Sequence, residues 1–104
     1  MITFQDFCKI GEEFGLYVEK GPFESYLITD KSSIFYIARY EMKESECAVS
    51  YKLAYRTSDK DIVPTEIKRV NTVKELREGI KSHLQERKDI KIKMKLNNID
   101  EDFK

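Results

Sequence analysis

The sequence predicts an α+β domain with an N-terminal helix, an antiparallel sheet and a long helical region at the end of the chain. Three patterns predict it. Apolar residues recur at helical spacing before residue 15, alternate with polar ones between about 33 and 56, and return to helical spacing after residue 72. The length of 104 residues suits one domain, and neither a repeat nor a linker divides it. We therefore expect residues 1–104 to form a single α+β domain with a four- to five-stranded, mainly antiparallel sheet.

The first helix carries signals at both of its ends. Thr3 and Asp6 have the spacing of a capping box, in which each side chain accepts a hydrogen bond from the backbone N–H of the other. Ile2 and Phe7 occupy the two positions of a hydrophobic staple around that cap. Gly15 is placed to end the helix, since glycine readily adopts the left-handed conformation found there. We expect a short helix that ends just before Gly15.

Two ten-residue segments, 33–42 and 47–56, have the alternation typical of strands. The polar residues 43–46 between them predict a hairpin. Weaker patterns predict further strands at 16–20, 25–29 and 66–70. Turns are expected at 21–22, 30–33 and 58–61. The first half of 33–42 is apolar on both faces, which indicates that both sides of the sheet are covered there.

The last third of the chain carries two apolar stripes with helical spacing. The first consists of Val73, Leu76, Ile80 and Leu84, and the second of Ile92, Leu96, Ile99 and Phe103. Their centres lie about 130° apart at 100° per residue, so we expect a long helix with a bend or break near Lys88 and Asp89. The alternative is a helix followed by a strand at 89–96, where apolar residues alternate with lysines. Residues 97–104 are interpreted as a loose or partner-bound tail.

The formal net charge of zero conceals an uneven distribution of charge. The chain has 19 Lys plus Arg and 19 Asp plus Glu. Residues 1–30 contain six acids and two bases, whereas residues 68–95 contain ten bases and four acids. This layout argues against a uniformly basic domain of the kind that binds nucleic acid nonspecifically, and it directs attention to residues 68–104.

The residues give little support to catalysis. His83, the only histidine, is expected at the exposed boundary of its helix without a catalytic role. Cys8 and Cys47 are expected to be reduced and buried, which suits the cytoplasm. The sequence contains neither a glycine-rich phosphate loop nor an EF-hand loop, and no run approaches the roughly 18 apolar residues of a membrane span. We expect no enzyme activity, no cofactor, no metal and no membrane association, and no small-molecule substrate is implied.

Macromolecular binding is the function that we expect instead. Three features indicate surface that a partner covers. They are the segment 33–42 with apolar residues on both faces, the many tyrosines and the second apolar stripe. The sequence therefore predicts a non-catalytic protein-binding module, such as a small inhibitor, adaptor or regulatory protein, which binds another protein or a second copy of itself. The expected contact residues are Tyr36, Tyr40, Tyr51, Tyr55, Ile92, Leu96, Ile99 and Phe103.

The alternative is binding of RNA or single-stranded DNA through the basic segment 68–95. Tyrosines with basic neighbours are the components of the aromatic platforms that hold single strands. The residues expected to contact phosphate are Lys88, Lys91, Lys93 and Lys95. Acidic residues interspersed among these bases favour salt bridges along the helix and count against this alternative.

Overall fold

The computed structural model describes residues 1–29, 35–56 and 61–102, with the backbone alone for Arg56, Asp61 and residues 94–102. The elements in chain order are α1 (Phe4–Glu13), β1 (Tyr17–Lys20), β2 (Glu24–Ile28), β3 (Ala38–Glu41), β4 (Glu46–Arg56), β5 (Asp61–Val70) and α2 (Val73–Asp102). The five strands form one antiparallel sheet in which spatial order follows chain order. The predicted α+β class, with an N-terminal helix, an antiparallel sheet and a C-terminal helix, is confirmed.

The ends of α1 are those that the sequence predicts. The Thr3 hydroxyl accepts from the Asp6 backbone N–H at 3.1 Å, and the Asp6 carboxylate accepts from the Thr3 N–H at 3.2 Å. These bonds satisfy two N–H groups that lack partners within the helix. They also lower the pKa of Asp6, with the backbone N–H of Thr3 as the largest cause. Gly15 has a φ of 70°, the left-handed conformation expected after the last turn.

Both helices cover the same face of the sheet. Leu27, Ala38 and Val49 are aligned across β2, β3 and β4, and all three are fully buried. The helices approach this row through glycines. A Cβ added to Gly11 of α1 would lie 2.5 Å from Leu27 Cδ2, and one added to Gly79 of α2 would overlap Val49 Cγ1. The absence of side chains at these two positions therefore lets the helices lie close to the sheet.

Two strands differ in length from the expectation. Strand β3 is shorter than the predicted 33–42, although Ile37 just before it donates to the Leu27 carbonyl and accepts from the Ser50 N–H. Strand β5 is longer than the predicted 66–70 and includes Pro64, which an edge strand tolerates. The turn expected at 30–33 lies outside the described residues. So does most of the turn expected at 58–61, whose last residue begins β5.

Helix α2 is continuous over 30 residues, or about 45 Å at the usual rise per residue. The alternative of a strand at 89–96 is therefore wrong, and no break occurs at Lys88 and Asp89. The sequence between Ile80 and the end of the helix contains neither glycine nor proline and is rich in strong helix formers. The break was expected on the assumption that both stripes reach one core, but Ile92 is 48% exposed. The expected tail continues the helix as far as Asp102.

Candidate functional site

The predicted contact tyrosines of β3 and the segment before it lie in different environments. Tyr40 is only 4% exposed, and its ring lies 5.7 Å from that of Phe4 and 5.6 Å from that of Phe7 between ring centroids. Its hydroxyl donates to the Ile2 carbonyl at 3.1 Å. Tyr36 is half-buried against Tyr26, with 5.0 Å between ring centroids. Burial under α1 removes Tyr40 from the expected contact set, because its strand position directs the side chain toward the helices.

The two predicted tyrosines of β4 contact β5. The Tyr51 hydroxyl donates to the Glu66 carboxylate at 2.6 Å. This bond raises the pKa of Tyr51 and is the main cause of the lowered pKa of Glu66. Tyr55 is half-buried and lies opposite Ile62 in the register. The four expected tyrosines therefore do not form one exposed surface.

His83 is buried, in contrast to the exposed position expected for it. It is 1% exposed, and its Nδ1 lies 2.8 Å from the Ser50 carbonyl oxygen. The guanidinium of Arg87 lies 3.3 Å from Nε2. A carbonyl accepts and a guanidinium donates, so the ring is neutral with its proton on Nδ1. Burial is the main reason that the pKa of His83 is lowered to about 4.

The sequence contains a signal for this burial. His83 follows Leu76 by seven residues and Ile80 by three, which is the spacing of one helical face. The predicted stripe includes Leu84, which shifts the centre of the stripe away from His83 and so predicts exposure of the histidine. Leu84 is only half-buried, so the packed face is rotated away from it and toward His83.

Side chains of α2 also bind the edge of β4 that β3 leaves open. The register of β3 on β4 ends at Val49, and although the Ser50 N–H still donates to the Ile37 carbonyl, other backbone groups from Ser50 onward bind side chains of α2. The Tyr51 carbonyl accepts from the Ser82 hydroxyl at 3.2 Å, and the Leu53 N–H donates to the Glu86 carboxylate at 2.5 Å. Together with the His83 bond, these contacts satisfy three backbone groups of β4 that the described part of β3 does not pair with. They hold the first half of α2 firmly on the sheet.

The next two turns of α2 form a shallow groove with a cavity volume of about 380 Å³. The residues that line it are Leu84, Arg87, Lys88, Lys91 and Ile92. We call this set the α2 groove. It brings an apolar residue expected to contact protein, Ile92, together with two lysines expected to contact phosphate, Lys88 and Lys91. These five positions lie on one side of the helix, beside the face that packs on β4.

The remaining predicted residues lie elsewhere or beyond the described side chains. Lys93 is exposed and lies on the opposite side of α2 from the groove. Lys95, Leu96 and Ile99 belong to α2, but their side chains are outside the described residues, as is Phe103 altogether. The structure therefore places three of these expected contact residues together and leaves four without a described side chain.

Two further observations concern the chemistry of the described residues. Cys47 is buried, and burial raises the pKa of its thiol to about 12, while the same effect raises the pKa of the half-buried Cys8. Among the side chains that the structure describes, those of residues 1–29, 35–55 and 62–93, His, Cys, Asp and Glu do not gather in groups of three or more suited to a metal ion. None of the helices described is both long enough and apolar enough to cross a bilayer.

No protein-family model, curated protein or solved structure matches the chain. The α2 groove and the edges of the sheet are therefore the observations from which its function is inferred.

Proposed function

We propose that the protein is a non-catalytic protein-binding module, such as a small inhibitor, adaptor or regulatory protein. Its partner would be an acidic, amphipathic helical segment of another protein, bound in the α2 groove. The observation that carries this proposal is the composition of the groove. The apolar side chains of Leu84 and Ile92 lie on one side of a helix together with three cationic groups, those of Arg87, Lys88 and Lys91.

The apolar part of the groove supports a helical partner. Leu84 and Ile92 are eight residues apart, which corresponds to about 12 Å along the helix axis. A partner helix with apolar residues at positions i, i+4 and i+7 spans a similar length and would cover both side chains. Ile92 is about half exposed, so a partner would remove a substantial apolar area from water.

The charges of the groove support acidic residues in that partner. Its described lining includes the exposed Lys88 and Lys91, and no carboxylate is among the lining residues that the structure describes. A partner with Asp or Glu beside its apolar residues would neutralise these charges and accelerate association. The same charges disfavour a second copy bound groove to groove, because lysines would then face lysines. Partner and groove would be complementary in both charge and apolar surface.

Nucleic acid is less well supported than a protein partner. The cations of the groove suit phosphate, but no aromatic side chain is among the lining residues within the described part of the chain. Tyr40 packs in the core and Tyr51 binds Glu66, so these two do not extend the groove into a stacking platform. The experiment therefore includes an oligonucleotide, so that binding of RNA or single-stranded DNA through segment 68–95 can be distinguished from binding of an acidic peptide.

The experiment uses three fluorescent probes with the full chain and measures anisotropy. They are a helical peptide with leucines on one face and glutamates beside them, the same peptide with lysines replacing the glutamates, and an oligothymidylate. We expect the acidic peptide to bind best. The double substitution Lys88→Glu with Lys91→Glu should weaken it about tenfold, since each reversed exposed pair contributes less than about 1 kcal/mol. Ile92→Ser should also weaken it.

The matched control is Lys93→Glu, which makes the same charge change on the opposite side of α2. It should leave the affinity for the acidic peptide nearly unchanged. Equal binding of the acidic and basic peptides would contradict the proposal, as would equal effects of Lys93→Glu and the double substitution. Tighter binding of the oligonucleotide, with an affinity that falls steeply as salt rises, would favour the nucleic-acid alternative.

A further inference from the structure

Strand β1 lies at an open edge of the sheet, and its register shows which backbone groups face outward. The Gly21 N–H donates to the Glu24 carbonyl at 2.8 Å, so this pair is a hydrogen-bonded pair of the β1–β2 hairpin. Hydrogen-bonded and non-hydrogen-bonded pairs alternate along antiparallel strands. The register therefore makes Tyr17 and Glu19 hydrogen-bond to β2. The N–H and C=O groups of Val18 and Lys20 point away from β2, outward from the edge of the sheet.

An open groove follows this edge. It is lined by all four residues of β1 and by Ile28, and its cavity volume is about 410 Å³. Tyr17 at one end of the strand is 49% exposed. Strand β1 contains no proline. The side chain of its single lysine, Lys20, is directed toward α1, where Nζ lies 5.9 Å from the ring centroid of Phe4. The edge is thus accessible to another strand.

The opposite edge of the sheet has a different character. Strand β5 contains Pro64, whereas β1 contains no proline. Proline is one of the features by which proteins prevent edge-to-edge pairing, since it has no backbone N–H to donate. The two edges therefore differ in their capacity to accept a further strand, and β1 is the more permissive one.

We propose that β1 pairs antiparallel with β1 of a second copy, so that two five-stranded sheets join into one of ten strands. Val18 then lies opposite the second copy's Val18, and the outward N–H and C=O groups of both residues bond to each other. The two-fold axis is perpendicular to the sheet, so the helices of both copies lie on the same face. This inference concerns β1 alone and does not depend on the α2 groove.

The side chains of β1 are self-complementary in this register. Tyr17 lies opposite Glu19 of the second copy, and the symmetry repeats the pair. Both residues are on the face away from the helices, since Val18 between them pairs with the buried Leu27. The fold already uses such pairs, because the hydroxyl of Tyr51 in β4 donates to Glu66 in the neighbouring β5 at 2.6 Å. A slip by one pair that placed Glu19 opposite Glu19 would set like charges against each other.

The strand has only four residues, so we expect a weak dimer that forms as concentration rises. The full chain is studied from about 10 µM to about 1 mM, the range in which small interfaces associate. Sedimentation should show a concentration-dependent increase toward the mass of a dimer. Amide exchange measured by NMR should show protection of Val18 and Lys20 that increases with concentration, while the protection of Tyr17 and Glu19 stays constant.

Substitutions test the register. Tyr17→Glu places carboxylates opposite Glu19 twice in each dimer and should weaken association about tenfold. Adding Glu19→Lys restores complementary charges and should return the dissociation constant to within about threefold of the unsubstituted chain. Ile67→Glu is the matched control, since it also replaces a half-exposed apolar residue on a sheet edge, that of β5. It should leave association unchanged.

Several results would overturn the proposal. A chain that stays monomeric throughout the concentration range would do so, as would equal weakening by Ile67→Glu and Tyr17→Glu. Failure of the double substitution to restore the dimer would exclude the register. The amide protection needs no substitution, so it decides the question even if Tyr17→Glu fails to fold. Constant exchange at Val18 and Lys20 would then contradict strand pairing.

Discussion

His83 connects the central part of α2 to β4, and its protonation state affects the stability of the fold. The neutral ring donates from Nδ1 to the Ser50 carbonyl, and its Nε2 accepts from the guanidinium of Arg87. A second proton would place a positive charge in a buried site beside an existing cation. This explains why the pKa of His83 lies at about 4 in the folded chain.

Stability should therefore fall as the pH is lowered from about 6.5, the pKa expected in the unfolded chain, to about 4. Over this interval the unfolded state binds a proton at His83 and the folded state does not. The full contribution of neutral His83 to the free energy of unfolding is therefore present only above about pH 6.5. The loss is on the order of 3 kcal/mol. Urea unfolding at pH 7.5, 5.5 and 4.5 measures it, and His83→Gln, which does not titrate, should remove this part of the pH dependence.

The difference in unfolding free energy between the unsubstituted chain and His83→Gln reports the contribution of His83 alone. Asp6 and Glu66 also have pKa values lowered by hydrogen bonds, so both proteins should lose stability in acid as these carboxylates become protonated. That loss is common to both and cancels in the difference. Parallel curves of unfolding free energy against pH would contradict the assignment to His83.

The residues predicted correctly and incorrectly differ in the range of their interactions. Thr3 and Asp6 bind each other across three positions, so the sequence itself contains both partners of the cap. Tyr40 binds Ile2 across 38 positions, and His83 binds Ser50 across 33. Burial of Tyr40 depends on which segments the fold brings together, and local periodicity does not contain that information, whereas His83 has the helical spacing of the buried Leu76 and Ile80.

The contact between helix α2 and the sheet depends on Gly79. Glycine within a helix costs about 1 kcal/mol relative to alanine, yet here it permits close contact with Val49. The branched side chain of Val49 has its γ carbons fixed directly on Cβ and has little freedom to move aside. The conformational cost of Gly79 is thus offset by packing.

Gly79→Ala should therefore destabilise the protein despite the better helix propensity of alanine. We expect a net loss of about 1–3 kcal/mol, the range for an overpacked core, measured by urea unfolding. Gly11→Ala is the comparison, because its added Cβ would meet the end of the longer Leu27 side chain, which can adjust more readily. Its loss should be smaller. Stabilisation by Gly79→Ala, as in an exposed helix, would contradict this account.

At the level of elements, the sequence predicted the type of each helix and strand better than its length. Strand β4 agrees with its predicted range to within one residue, because ten alternating positions define it. Strand β5 extends past Pro64 since pairing with β4 supplies the backbone bonds that local propensity does not indicate. Helix α2 continues past Lys88 because its residues favour helix even where the second stripe does not pack in the core.

The overall dimensions reflect the length of α2. The molecule measures 53 × 26 × 22 Å along its principal axes, and α2 alone accounts for about 45 Å. The described contacts with the backbone of β4 extend to Glu86, and residues 91–93 are all exposed. The sheet therefore anchors the first half of the helix, and the α2 groove extends from the end of that anchored part to Ile92.

A chain that ends at Lys93 should consequently keep its fold and its stability. We expect its free energy of unfolding to lie within about 1 kcal/mol of that of the full chain, because the described hydrogen bonds between α2 and the backbone of β4 all lie before residue 93. Urea unfolding followed by circular dichroism measures this difference. Because the α2 groove would be retained, the shortened chain should also bind the acidic peptide. A large loss of stability would show instead that residues 94–104 support the core.

The sequence by itself determined the α+β class, the two helices, the central hairpin and the cap at Thr3. Each of these depends on periodicity, turn residues or capping within a few positions, and such signals act locally in the chain. Only the tertiary structure decided that Tyr40 is buried, that Nδ1 of His83 binds the Ser50 carbonyl, and that β1 lies at an open edge of the sheet. These features arise where segments distant in sequence meet, because burial and pairing depend on the whole set of contacts.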